Sequence, residues 1–200
     1  MLRIALTGGI ATGKSYALEQ FRTRGVPCLD ADALAHGVMS AGTEATQAIA
    51  ARFGPEVVGA DGAVDRKKLG SIVFADAAAR RDLEAIVHPA VRRAIAAGLR
   101  AFELLGGAPF ALVDVPLLYE TGYASEFDRV IVTACLPDLQ VARLVARGMS
   151  EVEAHQRLAA QMSAAEKASR ADFVIQTDGS FEDTDKQVEQ VFQNLRMLGS

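Results

Sequence analysis

Residues 2–15, LRIALTGGIATGKS, decide the fold of this chain, because a short apolar run leads directly into a glycine-rich turn and a lysine. From Gly8 to Ser15 the residues match the pattern G-x-x-x-x-G-K-[ST]. In this pattern successive backbone N–H groups surround phosphate oxygens at the start of a helix, and Lys14 can reach the β- and γ-phosphates. We therefore predict a strand, a phosphate-binding loop and a helix, rather than a glycine-rich turn that holds a lysine by chance.

The loop predicts a nucleotide site with ATP as co-substrate and Mg²⁺ as the accompanying ion, ligated by the Ser15 hydroxyl. The residues expected to contact the nucleotide are Gly8, Gly9, Ala11, Thr12, Gly13, Lys14, Ser15 and Tyr16. Small-molecule kinases, switch GTPases and motor or assembly ATPases all share such a loop. The chain has no Asn-Lys-x-Asp guanine motif, and its 200 residues leave little room for a motor, so a kinase is favoured.

Apolar runs that alternate with helical stretches predict an α/β fold with a five-stranded parallel sheet. The strands are expected at residues 2–6, 26–29, 110–115, 129–132 and 173–176. A helix is expected at Lys14–Arg24, capping boxes at Ser150 and Ser163, and two helices meeting at Pro89.

The order of these segments predicts a core with two helical insertions. The core comprises residues 1–31, 108–136 and 171–200, and residues 32–107 form a helical acceptor-binding domain. Residues 137–170 form a lid. A kinase needs an acceptor pocket and a closing segment, so this division fits a kinase.

Composition excludes several classes of protein. A net charge of −4 argues against bulk attraction to nucleic acid, and no apolar run approaches the roughly 18 residues that span a bilayer. The short apolar start predicts no export signal, so we expect a cytoplasmic protein without membrane or nucleic-acid partners, as a monomer or weak oligomer. Cys28 and Cys135 are expected to be buried, reduced structural thiols.

Carboxylates follow two of the predicted strands. Asp114 ends the third strand and is placed to hold Mg²⁺ through water, whereas Asp32 is placed to accept a proton from an acceptor hydroxyl or to orient it. Asp30 is expected to be a helix N-cap.

Two arginines in the late helical segment, Arg143 and Arg147, are four residues apart and share one helix face. The structural alternative is that both arginines lie on a solvent-exposed helix face and that Arg147, near the helix C-terminus, interacts favourably with the helix dipole. We favour a lid in which they stabilise the charge on the transferring phosphoryl group. Arg157 and Lys167 follow in the next two helices.

Beyond the loop, the chain resembles the dephospho-coenzyme A kinase family over nearly its whole length. The segments that carry the resemblance, besides LTGGIATGKS, are DADALAH (30–36), VDRKKLGSIVF (64–74), LEAIVHPAV (83–91), DVPLLYE (114–120) and the lid-like residues 136–175.

The resemblance implies transfer of the ATP γ-phosphoryl group to the ribose 3′-hydroxyl of dephospho-coenzyme A. It implies that Lys14 and Ser15 hold ATP and Mg²⁺, that Asp32 is the base, and that Arg143 and Arg147 are the lid cations. The residues implied to line the acceptor pocket are Asp32, His88, Leu117, Leu118, Tyr119 and Glu120. For His88, a structural role before Pro89 is an equal alternative.

The chain departs from the family pattern at three places. Ala11 and Thr12 replace the usual Gly-Ser, Tyr16 stands where Thr or Asn is common, and Thr177 follows the last strand where Asn is usual. No adenine contact is therefore assigned to Thr177. Two alternatives remain open, namely another P-loop kinase with a different acceptor and a non-catalytic nucleotide-binding module.

Overall fold

A computed structural model describes residues 1–199 and shows a parallel sheet with helices. The strands are β1 (Leu2–Gly8), β2 (Cys28–Asp30), β3 (Phe110–Asp114), β4 (Arg129–Ala134) and β5 (Phe173–Gln176). The helices are α1 (Lys14–Thr23), α2 (Ala31–Val38), α3 (Glu44–Phe53), α4 (Arg66–Ala75), α5 (Ala77–Leu105), α6 (Pro137–Ala146), α7 (Glu151–Ala159), α8 (Ala164–Ser169) and α9 (Phe181–Leu198). Short 3₁₀ turns lie at Pro55–Val57 and Ala124–Glu126.

The strand order is β2-β3-β1-β4-β5, which puts the strand before the loop at the centre of the sheet. β1 pairs in parallel with β3 and β4, and the register sets Leu6 opposite Asp114 and Gly8 opposite Thr133. The predicted five-stranded parallel sheet is confirmed, and β5 has the predicted bounds. The register explains the site, because it brings the carboxyl ends of three strands to the loop.

The chain divides into two compact units. One contains Met1–Leu29 and the chain from Ala101 onward, and the other is Asp30–Arg100. The second unit is helical apart from one antiparallel bridge between Val58 and Val64. Its core contains the buried residues Ile49, Phe53, Val57, Val64, Leu69 and Ala79.

Apolar side chains from one face of the sheet and from α1 and α9 form a core of the first unit. The fully or nearly buried members include Ile4, Leu6, Phe21, Phe110, Leu112, Ile131, Ile175, Val188 and Leu195. Cys28 and Cys135 are free thiols, and burial raises the pKa of Cys28 to about 11. Among residues 1–199 we find no helix whose length and hydropathy would let it cross a membrane.

Local signals determine most helix ends. Asp30 caps α2 as predicted, because its carboxylate accepts hydrogen bonds from the N–H groups of Asp32 and Ala33. The predicted capping box at Ser150 and Glu153 is confirmed. The one predicted at Ser163 is wrong in part, because Ser163 caps α8 but the Glu166 carboxylate pairs with Arg170 instead of returning to the cap.

The predicted break at Pro89 is wrong, because α5 runs without interruption from Ala77 to Leu105 with Pro89 inside it. Proline lacks an N–H and leaves the carbonyl of Ala85 without its helical partner. Both Pro89 and Ala85 are on the exposed side of the helix, where water can bond that carbonyl. The buried residues Ala79, Ala90, Ile95 and Leu99 hold both halves of the helix in place.

Candidate active site

The phosphate loop lines a cavity of about 800 Å³ in the first unit. All the residues predicted to contact the nucleotide line this cavity, together with Ile10. Its other lining residues are Pro116, Arg143, Ala146, Arg147, Gln161, Thr177, Gly179, Ser180, Phe181 and Thr184. The lining includes three cationic side chains and no carboxylate, so the cavity suits a polyanion although the whole chain is acidic.

Glycine is required at two positions of the loop. A Cβ on Gly8 would collide with the hydroxyls of Thr133 and Thr12 and would lie 2.8 Å from the Thr133 carbonyl oxygen. Gly13 has φ +81°, which side chains rarely adopt, and it precedes the first turn of α1. The backbone can therefore turn tightly into the helix, and the N-terminus of α1 meets the cavity.

Lys14 forms an ion pair with Asp114, the carboxylate that ends β3. The ammonium contacts both carboxylate oxygens, and it lies 2.5 Å from Oδ2. The Asp114 side chain is 9% exposed and that of Lys14 is 17% exposed. The pairing holds the lysine over the loop, in reach of any phosphate bound there.

Arg143 and Arg147 both line the cavity but differ in their partners. The Arg143 guanidinium donates to the carbonyl oxygens of Ala11 (3.1 Å) and Thr177 (2.6 Å) and to the Thr177 hydroxyl (3.0 Å). Arg147 is the exposed C-cap residue of α6, and no hydrogen bond or ion pair engages its guanidinium within residues 1–199. Arg143 is thus tied to the loop, whereas Arg147 presents a charge to the cavity.

The DVPLLYE segment after β3 packs into the protein at several positions. Leu118 is fully buried and Leu117 is 42% exposed, so of the two only Leu117 offers a side chain at the surface. The Glu120 carboxylate accepts hydrogen bonds from Lys167 Nζ (2.9 Å) and from the backbone N–H of Met162 (3.1 Å). The Tyr119 hydroxyl is buried with no hydrogen-bond partner among the described residues, and burial raises its pKa.

Tyr16 presents its ring to the cavity. Its hydroxyl donates to the Asp185 carboxylate (2.8 Å), which is the first cause of its raised pKa. The ring lies 4.7 Å, centroid to centroid, from that of Phe181, which is 72% exposed. These two neighbouring rings both line the cavity.

Asp32 and His88 lie in the second unit, Asp30–Arg100. Asp32 is in the first turn of α2 and is exposed to solvent. His88 is half-buried within α5, beside Pro89. Their roles at a shared site stay predictions.

No role at the site was assigned from the sequence to three residues that contact the phosphate loop. Gln140 is 4% exposed and donates to the Ile10 carbonyl oxygen (2.5 Å), and Lys167 is fully buried against Gly8, Pro116 and Glu120. Thr177 donates to the Thr12 carbonyl oxygen (2.9 Å). Neither an isolated glutamine on a helix nor a lysine in the late helical segment gives a local signal for such contacts.

Ala11 is the one non-glycine residue with a positive φ, +60°, in the described chain. A Cβ in this conformation costs roughly 1–2 kcal/mol, against a loss of about 0.5–1 kcal/mol for the extra freedom of glycine in the unfolded chain. We expect Ala11→Gly to raise the free energy of unfolding by about 0.5 kcal/mol, measured by urea denaturation. Ala142→Gly on the exposed face of α6 is the control and should lower it by about 1 kcal/mol. Equal losses in both variants would contradict the strain assigned to Ala11.

Together the parallel sheet, the phosphate loop after its central strand, the helical insertion and the cation-lined cavity define the class of P-loop kinases. A family model described as dephospho-CoA kinase matches residues 2–183. The chain belongs to the dephospho-CoA kinase family.

Relatives agree with this assignment over the full chain. A dephospho-CoA kinase of Anaeromyxobacter dehalogenans is 49% identical over 96% of this chain and 92% of its own length. A dephospho-CoA kinase of Geobacillus kaustophilus is 44% identical over 94% of this chain and 93% of its own length. Among solved structures, a Thermus thermophilus protein superposes with a TM-score of 0.81 at 35% identity, covering 97% of both chains. A dephospho-CoA kinase from Campylobacter jejuni has a TM-score of 0.75 at 27% identity, covering 99% of this chain and 98% of its own.

Proposed function

We propose that this chain transfers the γ-phosphoryl group of ATP to the ribose 3′-hydroxyl of dephospho-CoA, giving CoA and ADP. The observation that carries the proposal is the cation-lined cavity over a complete phosphate loop, in a chain that belongs to the dephospho-CoA kinase family. The cytoplasmic location and the monomeric or weakly oligomeric state stay predictions.

The first unit binds the nucleotide in this proposal. The loop amides and the α1 N-terminus receive the phosphates, and the Lys14 ammonium moves from Asp114 alone to a position shared with the β- and γ-phosphates. The ring of Tyr16 and the exposed ring of Phe181 line the same cavity. This arrangement orients the triphosphate along the loop.

The residues present fit Mg²⁺ that arrives with the nucleotide. No cluster of three or more His, Cys, Asp or Glu side chains in the described chain could hold a metal by itself. Mg²⁺ in kinases is held by one or two protein oxygens together with phosphates and water. The hydroxyl of the exposed residue Ser15 and the carboxylate of Asp114 can supply the protein oxygens. When bound, the ion neutralises charge on the phosphate oxygens.

Asp30–Arg100 is the proposed acceptor unit, with Asp32 as the group that receives the 3′-hydroxyl proton. Because the transition state of phosphoryl transfer is loose, a base does less work than the alignment of the hydroxyl with the γ-phosphorus. Asp32 therefore both orients the hydroxyl and accepts its proton. His88 and, in the DVPLLYE segment, Leu117, Tyr119 and Glu120 are proposed to contact the rest of the acceptor, whereas the side chain of Leu118 is fully buried and is left out of this proposal.

Residues 137–170 are the proposed lid, and Arg147 is its cation at the transferring group. A guanidinium with no protein partner can contact the equatorial oxygens as charge spreads over them, and a closed lid excludes water that would otherwise hydrolyse ATP.

A coupled assay of ADP release over a panel of hydroxyl acceptors tests the function. We expect release to depend on dephospho-CoA, with a product heavier by one phosphoryl group, and to be absent with the 3′-deoxy analogue. Faster release with another acceptor would indicate a different kinase, and ATP binding with no release would indicate a binding module. Release without any acceptor would indicate a hydrolase.

Arg147→Ala is expected to lower kcat/KM for transfer about 100-fold, the effect of losing one preorganised donor to the transition state. Because Arg147 is exposed and makes no protein contact through its guanidinium, the melting temperature should stay at the wild-type value. Arg143→Ala is the matched comparison on the same helix and should lower both, because its guanidinium bonds Ala11 and Thr177. An unchanged kcat/KM for Arg147→Ala would place that side chain outside the closed site.

A further inference from the structure

Side chains donate hydrogen bonds to the backbone carbonyl oxygens of the phosphate loop. Five consecutive carbonyls each accept such a bond: Gly8 from Lys167 Nζ (3.4 Å), Gly9 from Thr12 Oγ1 (2.8 Å), Ile10 from Gln140 Nε2 (2.5 Å), Ala11 from Arg143 Nη1 (3.1 Å) and Thr12 from Thr177 Oγ1 (2.9 Å). Every peptide group from Gly8 to Thr12 is therefore oriented by a bond to its oxygen.

Three of these donors, Gln140, Arg143 and Lys167, come from α6 and α8. Lys167 is fully buried and Gln140 is 4% exposed. Burying an ammonium group is unfavourable unless its hydrogens are bonded and its charge is paired. Lys167 meets both needs, through Gly8, Pro116 (2.8 Å) and Glu120.

We propose that Gln140 and Lys167 are positioning residues that orient the loop for the phosphate chain. A trans peptide is planar, so its C=O and the next N–H point in opposite directions. The hydrogen bond from Gln140 to the Ile10 oxygen therefore turns the Ala11 N–H away from Gln140. In the same way, the hydrogen bond from Lys167 to the Gly8 oxygen turns the Gly9 N–H away from Lys167. The proposal rests on the proposed function only in taking a nucleotide phosphate chain as the ligand of the loop.

This role differs from merely attaching α6 and α8 to the sheet. An attachment would affect the binding of every part of the nucleotide equally, or would affect only stability. Orientation of loop amides affects the phosphates alone. The test is therefore the affinity for ATP compared with the affinity for adenosine, which has the same base and ribose without phosphate.

Gln140→Leu keeps the approximate shape of the side chain and removes the donor to Ile10. We expect the dissociation constant of Mg-AMPPNP, measured by calorimetry, to rise about three- to tenfold, the scale of one net hydrogen bond. The dissociation constant of adenosine should stay at its wild-type value. The same pattern is expected for Lys167→Met combined with Glu120→Gln, in which no unpaired buried charge remains.

Val188→Ala is the control, because Val188 is fully buried in the core of the first unit and makes none of the loop hydrogen bonds. It should lower the melting temperature and leave both dissociation constants unchanged. The proposal is overturned if the folded Gln140 and Lys167–Glu120 variants keep wild-type AMPPNP affinity, or lose AMPPNP and adenosine affinity alike. A wild-type protein that binds AMPPNP but does not phosphorylate dephospho-CoA would contradict the proposed function and leave this comparison valid.

Discussion

Lys14→Ala is expected to lower kcat for phosphoryl transfer about 100- to 1,000-fold, because it removes the cation that meets the β- and γ-phosphates where charge develops. Steady-state ADP release with saturating dephospho-CoA measures the change. The loss should be larger in kcat/KM than in kcat, since the lysine contacts the phosphates in the ground state as well.

The same variant removes the ammonium that pairs with the Asp114 carboxylate, whose side chain is 9% exposed. Breaking such a pair should lower the free energy of unfolding by up to about 3 kcal/mol, the lower end for buried pairs because Lys14 keeps some exposure. The double variant Lys14→Ala/Asp114→Asn separates the two effects. It should recover most of the stability and none of the activity, and recovered transfer in the double variant would contradict the role of Lys14.

Asp32→Asn is expected to lower kcat about 100-fold or more, the lower range for a general base, while the affinity for ATP stays unchanged. Asparagine keeps the size of the side chain but cannot take the proton from the 3′-hydroxyl. Pre-steady-state transfer with ATP and dephospho-CoA both saturating measures the chemical step without product release.

Asp30→Asn is the matched control, two residues away in the same helix start. The Asp30 carboxylate accepts the N–H groups of Asp32 and Ala33, and asparagine caps helices about as well as aspartate. Its kcat and stability should therefore stay near wild type. If kcat of Asp32→Asn falls no more than that of Asp30→Asn, Asp32 does not act as the base.

The loop and the sheet could be predicted because their signals are local. The largely apolar strand β1, the loop glycines and Lys14 all lie within residues 2–14, and the backbone geometry requires glycine at positions 8 and 13. The Asp30 cap and the Ser150 capping box are equally local, since donor and acceptor are within three residues of each other. Parallel pairing follows from the alternation of strands and helices.

Pro89 shows where a local signal loses to tertiary packing. The proline predicted a helix boundary, but the side of α5 that carries it is exposed, so water can bond the freed carbonyl while buried residues hold the helix on both sides of Pro89. Nothing in the residues next to Pro89 shows which side of the helix will be buried.

The sequence by itself determined the nucleotide class of the site, through a contiguous loop whose geometry depends on neighbouring backbone groups. Only the tertiary structure decided what Gln140, Arg143 and Lys167 do. Arg143 and Arg147 look alike in sequence, yet one is bonded to Ala11 and Thr177 and the other carries an unengaged guanidinium in the described chain. Lys167 pairs with Glu120 across 47 residues of chain and reaches Gly8 from 159 residues away. A hydrogen bond requires its donor and acceptor to be close in space, but the two residues can be any distance apart in the sequence. Only the fold therefore brings such donors to the loop.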